Sequence, residues 1–193
     1  MNHLILFAHP NPESFGGTLC EKLRAFSESK GNKVVVRNLY AISFDPVLSA
    51  KDLSSLAQAK VPADIAQEHA YIKEADHITL LYPVWWGGMP AILKGYIDRV
   101  FSNGFAYEAK GEEVIALLTG KKSSVICTTG ATDEEYEQSG IHAAMQLISS
   151  EVVFRFCGIT QVKQIFFGNI TGETEEKRKS WLAGIEHEFA GIL

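Results

Sequence analysis

Short apolar segments recur along the chain and alternate with more polar stretches. They are rich in Val, Ile, Leu and Phe, and several are apolar at nearly every position, which is typical of parallel strands covered on both faces. We predict strands over residues 3–8, 33–38, 77–83, 123–129 and 162–168.

The stretches between these segments carry the spacing of amphipathic helices. Leu19, Leu23 and Phe26 recur at i, i+4 and i+7, and Gly31 is placed to end that first helix. Pro90 suits the first turn of a helix predicted over 90–102. Further helices are predicted over 63–76, 140–158 and 173–193, while 39–62 is predicted to be an irregular connection and 103–121 a loop or hairpin insertion.

Five strands that alternate with five helices predict a doubly wound α/β fold. We expect a flavodoxin-like five-stranded parallel sheet of strand order 2-1-3-4-5, with helices on both faces. The 193 residues contain no repeat or linker, so one domain over 1–193 is predicted.

The composition and net charge of the chain exclude several classes of binding partner. The net charge is −5, from 18 Lys and Arg against 23 Asp and Glu, which argues against nucleic acid or an anionic membrane surface as partner. The N-terminal apolar run is too short for a signal peptide or a membrane span, so no membrane insertion is expected. Three cysteines without CxxC spacing predict buried free thiols and a cytoplasmic protein. The six histidines form neither HxxxH nor HExxH, so no metal site is predicted.

In a sheet of this kind, ligands bind beyond the carboxyl ends of the strands, near the switch point between the first and third strands. That rule selects the loops over 9–17, 83–90 and 128–140. In the first loop, Ser14 at a helix N-terminus and the ring N–H of His9 suit a phosphate, and Gly16 and Gly17 allow a ligand close to the main chain. The alternative is that Ser14 only caps the helix and His9 is a satisfied loop residue.

The second and third loops add an aromatic surface and hydrogen-bond donors. Trp85 and Trp86 suit the wall of a planar aromatic ligand, with Gly87 leaving its edge open, although a hydrophobic plug or a subunit interface is the alternative. The third loop offers hydroxyl and N–H groups, and then two side chains suited to proton transfer, unless these last two are structural. These residues are Thr128, Thr129, Gly130, Tyr136 and His142. Asp133, Glu134 and Glu135 in the same loop are predicted to form a solvated acidic turn.

A phosphate site, an aromatic wall and donors along a polar edge together point to a flavin nucleotide. The GxxxxGK[ST], GxGxxG and GxSxG motifs are missing, which argues against a nucleoside triphosphate, a Rossmann dinucleotide site and a serine hydrolase.

The motifs resemble those of the NAD(P)H:quinone oxidoreductases of the flavodoxin-like fold, the group that includes DT-diaphorase. "AHPNPESF" is similar to the flavin-phosphate loop of that family, "YPVWWGGMPAILKGYIDRVF" to its flavin-contacting segment, "GFAYEAKG" to a segment that supplies an aromatic wall, and "TTGATDEEYEQSGIH" to its TTGG loop with a Tyr and a His. On this resemblance the flavin-binding residues are His9, Ser14, Phe15, Gly16, Pro83, Val84, Trp85, Trp86, Gly87, Thr128, Thr129, Gly130 and Tyr136.

The resemblance implies a bound FAD or FMN and a two-step hydride transfer from NADH or NADPH to a quinone. Tyr136 and His142 are then the catalytic residues, and Tyr107, Trp86 and His142 contact substrate. A homodimer with the site at the subunit boundary is also implied. This chain departs from the family at Gly87, where mammalian members carry an aromatic residue, at Ala131 in the TTGG loop, and at His69, where relatives often have glutamine.

Three alternatives stay open at this point: a flavodoxin-type electron carrier, a regulatory subunit of a potassium-efflux system, and an azo- or nitroreductase. The mild net charge and the aromatic Tyr107 argue against the electron carrier.

Overall fold

A computed structural model describes residues 1–193, and its centre is a five-stranded parallel sheet. The sheet contains β1 (Asn2–Phe7), β2 (Lys33–Asn38), β3 (His77–Pro83), β6 (Lys122–Thr128) and β7 (Thr160–Phe167), in the order β2-β1-β3-β6-β7. Counted within the sheet alone, this is the predicted order 2-1-3-4-5, and the fold prediction is confirmed.

Helices cover both faces of the sheet. They are α1 (Phe15–Ser29), α2 (Ala50–Ala57), α3 (Ala63–Glu74), α4 (Ala91–Val100), α5 (Asp133–Gln138), α6 (Ile141–Leu147) and α7 (Glu175–Phe189). No helix is both long and apolar enough to cross a membrane. Nor do three or more His, Cys, Asp or Glu side chains gather in a way that would hold a metal ion.

The sheet separates two cores, because side chains alternate along each strand. Leu4 and Leu6 of β1 join a cluster of 24 buried residues on one face, and Ile5 and Phe7 join a cluster of 11 on the other. Every residue of β3 is buried, as expected for a central parallel strand. The three cysteines are free thiols within this interior.

Three predicted segments differ from the structure. The loop predicted over 128–140 contains α5. The connection over 39–62 contains α2, which begins with a capping box between Ser49 and Asp52. The single helix predicted over 140–158 is divided into α6, a π-helical turn over Ile148–Phe154 and a short 3₁₀ turn over Arg155–Cys157. Gly158 then ends the segment at a φ of +86°. Within 103–121 the hairpin alternative is correct, since β4 (Tyr107–Lys110) pairs antiparallel with β5 (Glu113–Ala116).

The amino ends of the central strands enclose a small polar network. Nε2 of His3 lies 2.8 Å from Oγ1 of Thr79, and Nδ1 lies 3.1 Å from Oγ of Ser27. Nε2 of His77 lies 2.9 Å from Oγ of Ser124. Burial, assisted by the neighbouring His77, lowers the pKa of His3 to about 3, and burial followed by the charge of the nearby lysine lowers the pKa of His77 to about 4. Both imidazoles are therefore neutral at pH 7.

Candidate active site

The three candidate loops leave the same edge of the sheet and are joined by main-chain hydrogen bonds. Ala8 N–H donates to Leu81 O (3.0 Å), Val84 N–H donates to Thr128 O (2.8 Å), and Thr129 N–H donates to a carbonyl at the end of β7 (3.0 Å). These bonds extend the strand pairing into the loops, so the loops have fixed positions relative to one another.

In the first loop, Ser14 is the N-cap of α1, and its Oγ accepts a hydrogen bond from Gly17 N–H at 3.1 Å. Its hydroxyl hydrogen remains available as a donor. Nδ1 of His9 lies 3.0 Å from the main-chain nitrogen and 2.8 Å from the carbonyl oxygen of Asn11, which leaves Nε2 for a ligand. Ser14 therefore caps α1, and this role is compatible with a phosphate at the unpaired amides of the first helical turn.

The glycines and the aromatic residue of this loop serve the packing of the chain itself. A β-carbon on Gly17 would lie 1.8 Å from the carbonyl oxygen of Pro12, so Gly17 accommodates the main chain of Pro12. A β-carbon on Gly16 would lie 3.4 Å from a methyl group of Leu81. The ring of Phe15 packs edge-on against Phe167, with centroids 5.8 Å apart, so only its main chain faces the loop.

The second loop is a two-residue turn from Trp85 to Gly88, closed by two main-chain hydrogen bonds of 3.0 and 3.1 Å. Trp86 has a φ of +53° and Gly87 a φ of +73°, which is the type I′ pattern. Glycine adopts this conformation freely, but a tryptophan there is strained. The side chain of Trp86 is fully exposed, and the ring of Trp85 lies 6.4 Å from that of His9. Trp86 is therefore not a plug within its own chain.

Other predicted site residues of the second and third loops are buried or form hydrogen bonds within the chain. Val84 N–H is taken by Thr128 O, and Pro83 is buried as the last residue of β3. Thr129 donates its hydroxyl to Ala131 O at 2.7 Å and its N–H to β7, so neither donor is available to a ligand in this structure. Gly130, by contrast, is exposed, with open space where a β-carbon would be.

Tyr136 and His142 are brought together by α5 and α6. Their ring centroids are 5.4 Å apart, and the imidazole stacks on Phe166 at 3.9 Å. Nε2 of His142 is buried and has no hydrogen-bond partner, and it lies 3.8 Å from Oδ1 of Asp133. Sequence reasoning treated Asp133 as part of a solvated acidic turn and missed this contact. The pairing is visible only once two short helices fold back on the end of β7.

Tyr107 lies elsewhere on the surface. It is the first residue of β4, and its ring packs edge-on against Phe156 at 4.9 Å. His69 is also removed from the loops: its Nε2–H donates to Val100 O at 2.9 Å, and its ring stacks on Phe105 at 3.6 Å. Burial lowers the pKa of His69, which fits a neutral, structural imidazole.

An apolar cavity of about 270 Å³ lies next to the Trp85–Gly88 turn. Its lining residues include Tyr82, Met89, Ile97 and Met145.

The whole chain has known relatives of the same architecture. Residues 1–187 match the family described as having a flavodoxin-like fold. A Haemophilus influenzae protein named "Uncharacterized NAD(P)H oxidoreductase" is 40% identical over 183 residues, covering 94% of this chain and 91% of that protein. "NAD(P)H dehydrogenase [quinone] 1" of Cavia porcellus is 32% identical over 209 residues, covering 98% of this chain and 76% of that protein.

A solved structure agrees with these relatives. The NAD(P)H:quinone oxidoreductase from Methanothermobacter marburgensis superposes with a TM-score of 0.84 at 30% identity, covering 97% of this chain and 94% of that one. The sheet topology and the family match together define a protein of flavodoxin-like fold. The chain belongs to the NAD(P)H:quinone oxidoreductase family of this fold, and the prediction of an enzyme of that class is confirmed at the level of the family.

Proposed function

We propose that the protein is a flavin-dependent NAD(P)H:quinone oxidoreductase. One observation carries the proposal: the buried, unpartnered Nε2 of His142 stands beside Tyr136 at the edge where the three loops meet. A proton-carrying pair at the switch point of a flavodoxin-like sheet suits redox chemistry that creates and removes negative charge.

The first loop fits the phosphate of a flavin nucleotide. The N-terminus of α1, the free hydroxyl hydrogen of Ser14 and Nε2 of His9 present donors from one short segment. The phosphate is common to FMN and FAD, so these residues serve either flavin.

The second and third loops fit the flavin ring. Trp86 presents an exposed indole from a rigid turn, and Gly130 leaves its own surroundings open. A flavin held there would supply the hydride chemistry between NADH or NADPH and a quinone. Tyr136 would donate a hydrogen bond to the polar edge of its ring, and His142 would hold the proton that balances the negative charge of the reduced state.

A homodimer completes this proposal. Exposed apolar side chains follow the segment from α6 through the π-helical turn, namely Leu147, Ile148, Val152 and Phe156. Such a contiguous patch is typical of an interface. Tyr107 contacts Phe156 on this same surface, so a symmetric pairing across the patch would place Tyr107 at the subunit boundary.

The proposal is tested by the visible spectrum of the purified protein, followed by chromatography of the released flavin and a steady-state assay with NADH, NADPH and a quinone. We expect a yellow protein whose double-reciprocal plots are parallel, as in a ping-pong cycle. A colourless protein that takes up neither FMN nor FAD contradicts the proposal. A yellow protein that does not oxidise NAD(P)H with a quinone favours the electron carrier instead.

A further inference from the structure

We propose that Asp133 is a positioning residue for His142. The carboxylate of Asp133 faces Nε2 of His142 and stabilises a proton on that nitrogen. The catalytic consequence rests on the proposed function, whereas the electrostatic pairing can be tested without turnover. Nothing in the family motifs quoted above assigns a role to this position.

The surroundings of His142 leave Asp133 as its charged neighbour. One face of the imidazole stacks on Phe166, and the ring of Tyr136 lies 5.4 Å away. Nε2 is buried without a hydrogen-bond partner, and Oδ1 of Asp133 is 3.8 Å from it. That separation is an ion-pair distance, so a proton gained by the imidazole is stabilised there.

Asp133 is fixed by the end of β7. A β-carbon on Gly168 would lie 2.6 Å from the main-chain nitrogen of Asp133 and 2.7 Å from Oδ1, so only glycine allows this approach. Asn169 N–H donates to Ala131 O at 2.7 Å, which ties the preceding loop to the same place. Because Phe166 of β7 supports the imidazole, the acid and the base are both positioned by one strand end.

Several neighbouring groups influence the pKa of Asp133. Desolvation raises its pKa, His142 opposes that shift, and among the remaining groups Glu137 and Glu173 raise it while Lys177 lowers it. The side chain of Asp133 is 48% exposed, so water weakens the pairing without abolishing it. The chain thus places a half-exposed carboxylate opposite a buried imidazole nitrogen.

A purely structural role for Asp133 is the competing explanation. As the first residue of α5, an acid interacts favourably with the positive end of the helix. That role affects stability, but it does not change where His142 titrates. The two roles are therefore separable by a measurement on His142 itself.

The test is an NMR titration of the His142 ring in the protein as purified, with the signal assigned by its loss in His142→Gln. In Asp133→Asn we expect the pH midpoint of His142 to fall by about 0.5 to 1 unit. Asp133→Ser, which also suits a helix start, gives the same fall, and Asp133→Glu restores most of the midpoint. Glu134→Gln is the matched control, because it removes the neighbouring charge of the same turn, and it leaves the midpoint in place.

The rate of flavin reduction in the flavin-bound protein provides a second measurement. If the protein is a flavin enzyme, flavin reduction in Asp133→Asn slows about threefold to tenfold. Its rate also begins to decline at a lower pH than in the wild type, because protonated His142 is less stable. An unchanged His142 midpoint in Asp133→Asn and Asp133→Ser overturns the inference, and it leaves the proposed function standing. Failure of the protein to bind flavin leaves the NMR result interpretable.

Discussion

The carbonyl oxygen of Pro12 occupies the space that a β-carbon on Gly17 would need. Gly17→Ala therefore forces the loop away from α1, and we expect it to destabilise the protein by about 1–3 kcal/mol and to weaken flavin binding. Gly16→Ala is the control for the unfolding measurement alone, because its β-carbon meets only side-chain atoms at 3.4 Å or more. Urea unfolding and flavin titration measure both effects. Equal stabilities for the two variants contradict the steric argument.

Trp86 combines a strained main-chain conformation, with a φ of +53°, with a fully exposed indole side chain. Trp86→Asn gives the Asn-Gly pair that type I′ turns prefer, so we expect the free energy of unfolding to rise by about 0.5–1 kcal/mol. Flavin affinity and turnover should fall, since the aromatic surface is lost. Thermal unfolding of flavin-free protein and a flavin binding isotherm test the two halves separately. A variant that is less stable than wild type shows that Trp86 is not strained.

The lowered pKa values of His3 and His77 predict that the free energy of unfolding decreases at acidic pH. Their pKa values in the folded protein, about 3 and about 4, lie below the ordinary value of 6.5. Between pH 6.5 and 4 the unfolded chain therefore binds protons that the folded chain does not, and stability falls as the pH falls. The two histidines contribute about two protons to the uptake on unfolding.

Replacing one of these two histidines measures its own contribution to the proton uptake on unfolding. Unfolding of His77→Gln should take up about one proton fewer than wild type near pH 5, measured from the pH dependence of urea unfolding. Equal uptake in wild type and His77→Gln would show that His77 is not held neutral by the fold.

Tyr136 and His142 carry the catalytic hypothesis. Tyr136→Phe and His142→Gln should each slow flavin reduction by NAD(P)H by about 10²-fold or more, with the flavin still bound. Stopped-flow absorbance at the flavin band reports this step directly. Unchanged rates in both variants would remove these residues from the mechanism.

Val152 tests the subunit interface. It is 63% exposed on the apolar patch, so a charge placed there should separate the subunits with little effect on the fold. We expect Val152→Glu to run as a monomer in light scattering, with turnover reduced because Tyr107 is no longer supplied by a partner. Lys179→Glu on the exposed face of α7 is the control for added negative charge. A wild-type monomer would contradict the interface.

The strands and the site edge could be predicted from sequence because they depend on local composition and on a general rule of parallel sheets. Burial on both faces makes β3 apolar throughout, and a strand of that kind is recognisable alone. α2 and α5 were missed because helices of eight and six residues carry too few apolar positions for a periodicity. Their capping boxes, at Ser49 and Thr132, were the signals available.

Internal use of donors could not be predicted. Thr129 belongs to a motif that suggests a ligand contact, yet its hydroxyl and N–H are both taken by the chain. Asp133 looked like a solvated acid because its contact with His142 depends on Gly168, which is 35 residues away in sequence. Such contacts follow from tertiary packing, and no spacing rule encodes them.

The hydrogen bonds that link Val84 to Thr128 and Thr129 to β7 involve main-chain atoms only. Any side chain that the turn conformation tolerates can therefore be exchanged at the rim without disturbing the frame beneath it. On the proposed function, replacing an exposed side chain such as Trp86 would change the surface offered to an electron acceptor and leave these main-chain hydrogen bonds in place.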